Sequence, residues 1–395
     1  MKPRLLHPFV LLAAASNLFG QGALTPPGVP APSMKSLDQV EARTIVNAAN
    51  TPGDATNTFI ISAPGSYYFT GNITGATGKH GISIQSDDVT LDLNGFVLIG
   101  GGGGAFRGVN VPAAQKNFCV RNGTIRGWTD GGVRTDIATN TLAEKLRLSD
   151  NTGATGLFLG NGSARDCVAS GNGTGFGVGN GAEVRDCTAT GNGTGFFAAD
   201  RTKLCNCIST INSGIGFDCT SYVTLIDCTS SRNASTGIRV DGSCLLSHCN
   251  ASRNAVSGIV AYTGCTIVNC TAGLNLGAGI FVSLACTIQN CTAQSNTGAG
   301  VDINSRCHVL GNICDSNLYG VFANGSGNRI EGNSCTANSS YGVRSASSVN
   351  LIVRNSAHNN APNFSFQAAD APGPVIDMTA GGTIATSSPW ANFSY

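Results

Sequence analysis

Two groups of charged residues between positions 87 and 136 could take part in acid–base chemistry. One is the carboxylate pair Asp87-Asp88, and the other is a cluster of mixed charge around one tryptophan, made of Arg121, Arg126, Trp128, Asp130, Arg134 and Asp136. Glycoside hydrolysis needs two carboxyl groups at a defined separation, and the sequence identifies no second partner for the pair. We interpret the pair as a solvated turn and the cluster as a salt-bridged loop surface, with a sugar-acid site as the alternative.

A second set of residues combines aromatic rings with charged groups at a regular spacing. Each lies two or four residues after a glycine that recurs about every 21 residues, and the set is Arg239, Asp241, Tyr262, Phe281 and Asp302. Aromatic rings contact the apolar faces of sugars, and charged groups bond their hydroxyl edges. On one exposed surface these side chains would bind a polysaccharide. The alternatives are a face covered by a neighbouring loop and ordinary sequence variation.

The recurring glycine defines the elements that must position these residues. It is followed each time by an aliphatic or aromatic residue, at Gly156, Gly175, Gly195, Gly216, Gly237, Gly258, Gly279, Gly300, Gly320 and Gly342. Looser members are Gly81, Gly108 and Gly132, so that about a dozen units cover residues 81–360. Apolar residues alternate within short segments of each unit, which predicts three short strands per unit.

A unit of this size cannot bury its own apolar face, so equivalent strands are expected to pair in parallel from unit to unit. The interval is then the circumference of one coil, and each coil rises about 4.8 Å. An asparagine recurs seventeen residues after the glycine, from Asn192 to Asn317. We expect it at a corner, in a buried amide ladder, with a left-handed φ tolerated there and the glycine supplying positive φ at another corner.

The chain contains 16 cysteines. One column recurs twelve residues after the glycine, from Cys187 to Cys291, and a second column, from Cys244 to Cys307, lies five residues earlier in each coil. Neighbouring strands hold side chains about 4.8 Å apart, whereas a disulfide needs Cβ atoms about 3.5–4.5 Å apart. We expect buried thiols that pack as small apolar groups, while some disulfides and a soft-metal stack remain open alternatives.

Several segments resemble those of the secreted right-handed parallel β-helix repeat proteins of bacteria, in the pectin-lyase-like fold class. The repeats include NCTAGLNLGAGIFV, and the first coils include VTLDLNGFVLIG and CVRNGTIRGW. The resemblance covers about residues 59–360 and implies an all-β, single-stranded, right-handed parallel β-helix (solenoid) of about twelve coils with N- and C-terminal caps. A looser resemblance is to periplasmic copper-associated β-helix proteins of nitrous-oxide reductase maturation.

The resemblance also implies which catalytic motifs an enzyme of this class would contain. Hydrolases of the class use N-T-D, D-D and G-H-G motifs, and this sequence has only the D-D pair. Lyases hold Ca²⁺ with carboxylates beside a basic residue, but no tight acidic triad is present; the D-P-H-D signature of mannuronan epimerases is also missing. The fold alone does not specify a function.

The two ends of the chain differ from the repeats and predict a signal peptide, a leader and two caps. Residues 1–22 read as a secretory signal peptide, 23–58 as a leader and the start of an N-terminal cap, 59–360 as the β-helix, and 361–395 as a C-terminal cap with Trp390 and Phe393 over the last coil. The 23 Lys+Arg against 22 Asp+Glu provide no basic surface for nucleic acid. No later apolar stretch is long enough for a transmembrane segment.

We therefore predict an exported, non-catalytic scaffold, secreted, periplasmic or on the cell surface, that binds polysaccharide or a cell-surface glycan without a cofactor. One alternative is a polysaccharide lyase or hydrolase of the pectin-lyase-like class, with Ca²⁺ if it is a lyase. Another is a periplasmic metal-handling β-helix protein. The oligomeric state stays open.

Overall fold

A computed structural model describes residues 41–395, and Arg43–Tyr395 forms one compact unit. The predicted signal peptide and residues 23–40 of the predicted leader lie outside the described residues. The described residues contain β-strands and turns and no α-helix. The predicted all-β class is therefore confirmed.

The strands form three parallel faces, because each coil contributes its three segments to three separate ladders. The first, called face 1, contains 15 strands. They are Asn57–Ile61, His80–Ile84, Val109–Asn110, Val133–Thr135, Thr155–Leu159, Thr174–Val178, Thr194–Ala198, Phe217–Cys219, Ile238–Gly242, Ile259–Thr263, Ile280–Leu284, Val301–Ser305, Val321–Ala323, Val343–Ser345 and Phe364–Ser365.

Face 2 follows face 1 in each coil, and face 3 follows face 2. Face 2 consists of Thr44–Ile45, Gly65–Tyr68, Val89–Asp92, Gly162–Arg165, Glu183–Arg185, Lys203–Cys205, Thr224–Ile226, Leu245–Ser247, Thr266–Val268, Thr287–Gln289, His308–Leu310, Arg329–Glu331, Leu351–Val353 and Ala371–Pro372. Face 3 consists of Ile73–Thr74, Val97–Ile99, Val168–Ser170, Thr188–Thr190, Ile208–Thr210, Thr229–Ser231, Asn250–Ser252, Thr271–Gly273, Thr292–Gln294, Ile313–Asp315, Ser334–Thr336, Ser356–His358, Val375–Asp377 and Asn392–Ser394. The long strands Cys119–Arg126 and Thr141–Ser149 run through both faces.

The stack is longer than the predicted twelve coils, since face 1 alone has 15 strands. At about 4.8 Å per coil the rod is about 67 Å long. The glycine count missed the first and last coils because neither contains the glycine. The strand registers place Thr58 at the position of Gly81 and Asn363 at the position of Gly342.

The core is built from columns of identical or similar inward side chains. The rings of Phe176, Phe196 and Phe217 are fully buried and stack at centroid separations of 4.8 Å, with interplanar angles of 10° and 9°. Aliphatic residues continue this column through the later coils, from Ile238 to Val301. The inward and outward positions read from the sequence are therefore confirmed for face 1.

Asparagines form the predicted ladder, which is longer than the repeat suggested, and all of them are buried except the partly exposed Asn360. Its members are Asn151, Asn172, Asn192, Asn212, Asn233, Asn254, Asn275, Asn296, Asn317, Asn338 and Asn360. In Asn254, for example, the backbone N–H and Nδ2 both donate to Oδ1 of Asn275, at 3.0 and 3.1 Å. Nδ2 of Asn254 also donates to the Ser230 carbonyl of the preceding coil at 3.3 Å. Each amide thus satisfies backbone groups that the corner buries.

Two details of the predicted corner are wrong. The left-handed residue is the one before the ladder asparagine, such as Arg253 with a φ of 56°, and not the asparagine itself. The recurring glycine does not have a positive φ. It is required by close approach, because a Cβ at Gly237 would lie 2.5 Å from Nδ2 of Asn254 and 2.7 Å from the carbonyl oxygen of Gly258.

The cysteine columns accept backbone hydrogen bonds at the corners, as the asparagine ladder does. The backbone N–H of Cys249 donates to Sγ of Cys270, and that of Cys270 to Sγ of Cys291, both at 3.4 Å. The next acceptor in this column is Oδ1 of Asn312, at 2.8 Å from the nitrogen of Cys291. The second column changes in the same way from Cys307 to an asparagine, Asn328, at 2.8 Å. Thiol and amide therefore replace one another at equivalent corners.

All 16 cysteines are free, and all except Cys119 and Cys205 are buried. Burial raises the pKa of the Cys119 thiol to about 11 and also raises the pKa of Cys205. The structure therefore agrees with buried thiols rather than disulfides.

Beyond the last full coil, the chain returns to face 3. The strand Asn392–Ser394 pairs with Ser356–His358 and with Val375–Asp377. Phe393 lies in this closing strand, but Trp390 does not cover the core, since 46% of it is exposed. The predicted role of Trp390 as a covering residue is wrong, because Arg354 holds its ring at the surface, with the guanidinium carbon 4.4 Å from the ring centroid.

Replacing a ladder asparagine should destabilise the fold. Asn254→Ala removes the acceptor of the Asn233 N–H and the donor to the Ser230 carbonyl, and an unpaired buried group costs about 1–3 kcal/mol. We expect the free energy of unfolding to fall by at least about 2 kcal/mol in denaturant titrations. The matched control is Asn250→Ala in the same coil, where the side chain is exposed. An equal loss in both variants would contradict the ladder's role.

The thiols should be reduced and largely unreactive in the folded protein. A colorimetric thiol reagent should modify at most the two partly exposed residues, Cys119 and Cys205, before unfolding, and all 16 after unfolding without reductant. The raised pKa of both thiols slows even their reaction, since the thiolate is the nucleophile. Cys205→Ser should lower the unfolded count by one. A smaller count in the unfolded wild type would show disulfides.

Candidate functional site

The five residues proposed from the sequence lie on the outer surface of face 1. Arg239, Phe281 and Asp302 occupy the second position of successive strands, with Val260 between the first two. Asp241 and Tyr262 occupy the fourth position, and both are exposed. The structure therefore places all five on one side of the rod, in two adjacent rows parallel to its axis.

Arg239 is already engaged by a neighbouring carboxylate. Its Nε and terminal nitrogen donate to both oxygens of Asp218, at 2.8 and 2.7 Å, in the two-pronged geometry that guanidinium and carboxylate favour. The two residues are register partners on adjacent strands. The pair is neutral, so Arg239 contributes less free charge to a binding surface than its sequence position suggested.

Beyond Val260 the second position carries an alternation of rings and charges, which we call the aromatic row. The row consists of Phe281, Asp302, Phe322 and Arg344, each paired in register with the next. Parallel pairing sets their spacing at about 4.8 Å per strand. All four are partly exposed, so that the row offers ring faces, a carboxyl group and a guanidinium along one line.

Three aromatic rings surround the guanidinium at the end of this row. The guanidinium carbon of Arg344 lies 5.0 Å from the ring centroid of Tyr341, 5.3 Å from Phe322 and 5.5 Å from Tyr319. One terminal nitrogen of Arg344 donates to the Tyr319 hydroxyl at 3.2 Å. We call these four residues the cation cage. Within residues 41–395 no carboxylate pairs with Arg344, so its charge is available to an anionic ligand group.

Asp302 lies in the row between the phenyl rings of Phe281 and Phe322. Burial raises the pKa of its carboxyl group, and a hydrogen bond from Asn324 Nδ2, at 2.7 Å, offsets part of this increase. Desolvation is the larger cause because no cation pairs with the carboxylate among the described residues. This carboxyl group therefore takes up a proton more readily than an exposed aspartate.

The mixed-charge cluster near the N-terminal coils is divided among three places. Trp128 is buried in the core, and Arg121 pairs with Asp92 on face 2 at 3.2 Å. Asp130, Arg134 and Asp136 meet on face 1 together with Arg107. Four ion pairs join this group, with N–O distances of 2.7, 2.8, 3.7 and 3.8 Å. Its two carboxylates are neutralised by two guanidinium groups, as in the salt-bridged surface that the sequence favoured.

The Asp87-Asp88 pair lies in a turn, where Asp88 has a φ of 57°. Its carboxylates accept hydrogen bonds from the Lys116 N–H at 2.8 Å and from Asn117 Nδ2 at 2.6 Å. Both donors belong to the next coil, so the two carboxylates link adjacent coils, as the turn interpretation implies. Within the described part of the chain, no three histidine, cysteine or acidic side chains are arranged to hold a metal ion.

The family described as "Right handed beta helix region" matches residues 59–207 and 200–313, and the chain belongs to this family. No curated protein sequence matches the chain. None of the residues from 41 onward forms a helix able to cross a membrane.

Solved structures with a similar fold include both enzymes and an adhesin. The Azotobacter vinelandii mannuronan C-5 epimerase AlgE6 A-module is 15% identical, with a TM-score of 0.44 over 84% of this chain and 91% of that chain. The periplasmic alginate epimerase AlgG is 12% identical, with a TM-score of 0.31 over 89% and 82%. PfbA, a surface adhesin of Streptococcus pneumoniae, is 9% identical, with a TM-score of 0.33 over 75% and 82%. At these identities the likeness concerns the fold.

Sequence reasoning missed the cation cage, although its parts were visible. Phe322 and Arg344 belong to the row that contains Phe281 and Asp302, but they were not selected. Tyr319 and Tyr341 each directly precede the recurring glycine in adjacent coils. This shared position was the signal that could have placed two tyrosines beside the arginine.

Substituting Asp302 tests how strongly its environment disfavours the charge. The folded pKa lies above the ordinary value of 3.8, so the charged carboxylate weakens the folded state at neutral pH, and protonation removes this cost. We expect Asp302→Asn to unfold at a higher temperature than the wild type at neutral pH. The difference should shrink as the pH falls toward 3.8.

The exposed Asp241→Asn serves as the matched control for this pH series, since it occupies a neighbouring row of face 1. Its melting temperature should follow that of the wild type throughout. A lower melting temperature of Asp302→Asn at neutral pH would show that the carboxylate stabilises the fold instead.

Proposed function

We propose that the chain is an exported, non-catalytic scaffold that binds an acidic polysaccharide along face 1. The observation that carries this proposal is the Arg344 guanidinium, which three aromatic rings hold at the surface without a carboxylate partner among residues 41–395. A uronate carboxylate would pair with Arg344, while sugar rings lie against Phe322 and Phe281. Export rests on the sequence of residues 1–22.

The direction of the bound polymer follows from the geometry of the row. Its four side chains come from successive coils, so they form a line parallel to the rod axis. An extended polysaccharide lying along this line would meet a guanidinium, a ring, a carboxyl group and a second ring in turn. Tyr262 and Asp241, in the neighbouring row, would contact the polymer beyond Phe281.

One observation favours a second candidate, a polysaccharide lyase. Asp302 has a raised pKa, as groups that transfer protons in active sites often have, and it shares the row with a guanidinium that could neutralise a uronate. Asp302 and Arg344 are separated by Phe322 in this row. The lyase candidate predicts an unsaturated product, whereas the scaffold predicts binding without turnover.

Electrophoresis in gels that contain polysaccharide separates these outcomes. The mature chain, residues 23–395, should be retarded by polygalacturonate or alginate and not by the neutral polymer dextran. Arg344→Gln should weaken the retardation about tenfold or more, which corresponds to loss of one charged contact. Arg253→Gln, which changes an exposed arginine at a corner of the rod, should leave it unchanged.

Absorbance of unsaturated product, followed in parallel with and without Ca²⁺, decides between the two candidates. Retardation without product supports the scaffold. Product that disappears in Asp302→Asn would replace it with the lyase. Equal retardation of the Arg344→Gln variant and the wild type would contradict the proposed site. So would the absence of any retardation of the wild type by an acidic polymer.

A further inference from the structure

A surface pocket of about 410 Å³ lies on face 2 at the C-terminal end of the rod. Its walls come from three successive coils and from the closing tail. Leu351 and Val353 belong to a face 2 strand, Pro372 and Pro374 come from the last coil, and Trp390 comes from the tail. Arg329, in the face 2 strand of the preceding coil, also lines the pocket. Most of the lining is carbon, and a tryptophan ring forms part of it.

The tryptophan is held in place by contacts on several sides. The Arg354 guanidinium carbon lies 4.4 Å from the ring centroid, and its Nε donates to the Pro389 carbonyl at 2.9 Å. Two residues later, Asn392 ends the column that continues from Cys291 through Asn312, Asn333 and Asn355, and its Oδ1 accepts from Asn355 Nδ2 at 3.1 Å. The carbonyl of Trp390 packs so closely on Gly373 that a Cβ there would lie 1.8 Å from the oxygen. The pocket is therefore preformed.

The side of the pocket formed by Arg329 has an excess of positive charge. Glu331 accepts ion pairs from Arg329 at 2.6 Å and from Arg354 at 3.0 Å. Two guanidinium groups share this one carboxylate, and no acidic side chain is among the residues that line the pocket. An anionic group beside Arg329 would complete the charge balance.

The lining decides which kind of anion fits. A sugar presents hydroxyl groups that need partners, and the pocket offers few polar side chains besides Arg329 and Ser388. A flat aromatic ring, in contrast, stacks on the indole and contacts the leucine, valine and proline walls without leaving polar groups unpaired. We propose that this pocket binds a small aromatic carboxylate, with the ring against Trp390 and the carboxylate at Arg329. This site is separate from the polysaccharide row of face 1 and does not depend on it.

Calorimetric titration of the mature chain with trans-cinnamate tests the proposal. Cinnamate should bind, and cinnamyl alcohol, which has the same ring and no charge, should bind about tenfold more weakly or worse. Hexanoate, an anion without a ring, should also bind at least about tenfold more weakly. No heat with millimolar cinnamate, or an affinity for cinnamyl alcohol or hexanoate equal to that for cinnamate, would overturn the assignment.

Variants locate the site and check the sign of the charge effect. Trp390→Leu and Arg329→Gln should each weaken cinnamate binding about fivefold or more, whereas Glu331→Gln should tighten it because it removes the competing carboxylate. The matched control is Tyr222→Leu, since Tyr222 is an exposed ring under Arg201, at 5.7 Å from its guanidinium carbon. Far-ultraviolet circular dichroism confirms that each variant is folded. Unchanged binding in Trp390→Leu, or weaker binding in Glu331→Gln, would contradict the proposal.

Discussion

The structure depends on one hydrogen-bonding requirement at its corners. Each turn between faces buries backbone N–H and carbonyl groups, and a side chain from the next coil must reach them. Asparagine meets this requirement along one corner from Asn151 to Asn360, and thiols or asparagines meet it along two others. Because the bond joins equivalent residues of successive coils, every coil must return to the same place. The interval of about 21 residues in the sequence follows from this return.

The corner ladder also explains the most regular residue of the repeat. The recurring glycine lies beside the ladder amide, and a Cβ there would overlap Nδ2 of the asparagine. Because the corners and the core constrain their residues, only the outward side chains can vary without disturbing the stack. On face 1 these outward side chains differ along the rod. Ion pairs such as Asp218–Arg239 occupy the middle and N-terminal coils, while the aromatic row and the cation cage occupy the C-terminal coils.

The sequence predicted the parts of the fold that a period can reveal. Alternation with period two identified the strands and the inward columns, and the common interval identified the pairing partners. The sequence did not predict the cation cage, because Tyr319 contacts Arg344 from the preceding coil. Such a contact depends on the conformation of the turn before each strand. The pairing of Arg239 with Asp218 was readable from their register, but only once both were known to face outward. The pocket at Trp390 had no signal, since the tail that forms it does not repeat.

The exchange between cysteine and asparagine at the corners has a consequence for how such a chain can change its length. At Cys291 a coil that presents sulfur is followed by one that presents an amide, and the hydrogen bond between them is kept. Stacking one coil on the next therefore requires a hydrogen-bond acceptor at the corner, and it does not depend on which residue supplies the acceptor. The corner hydrogen bonds join neighbouring coils only, so they do not depend on the total number of coils. Units of different ancestry could be inserted, duplicated or lost in the middle, and the number that remains would be decided by the two ends, where the chain stops offering an acceptor.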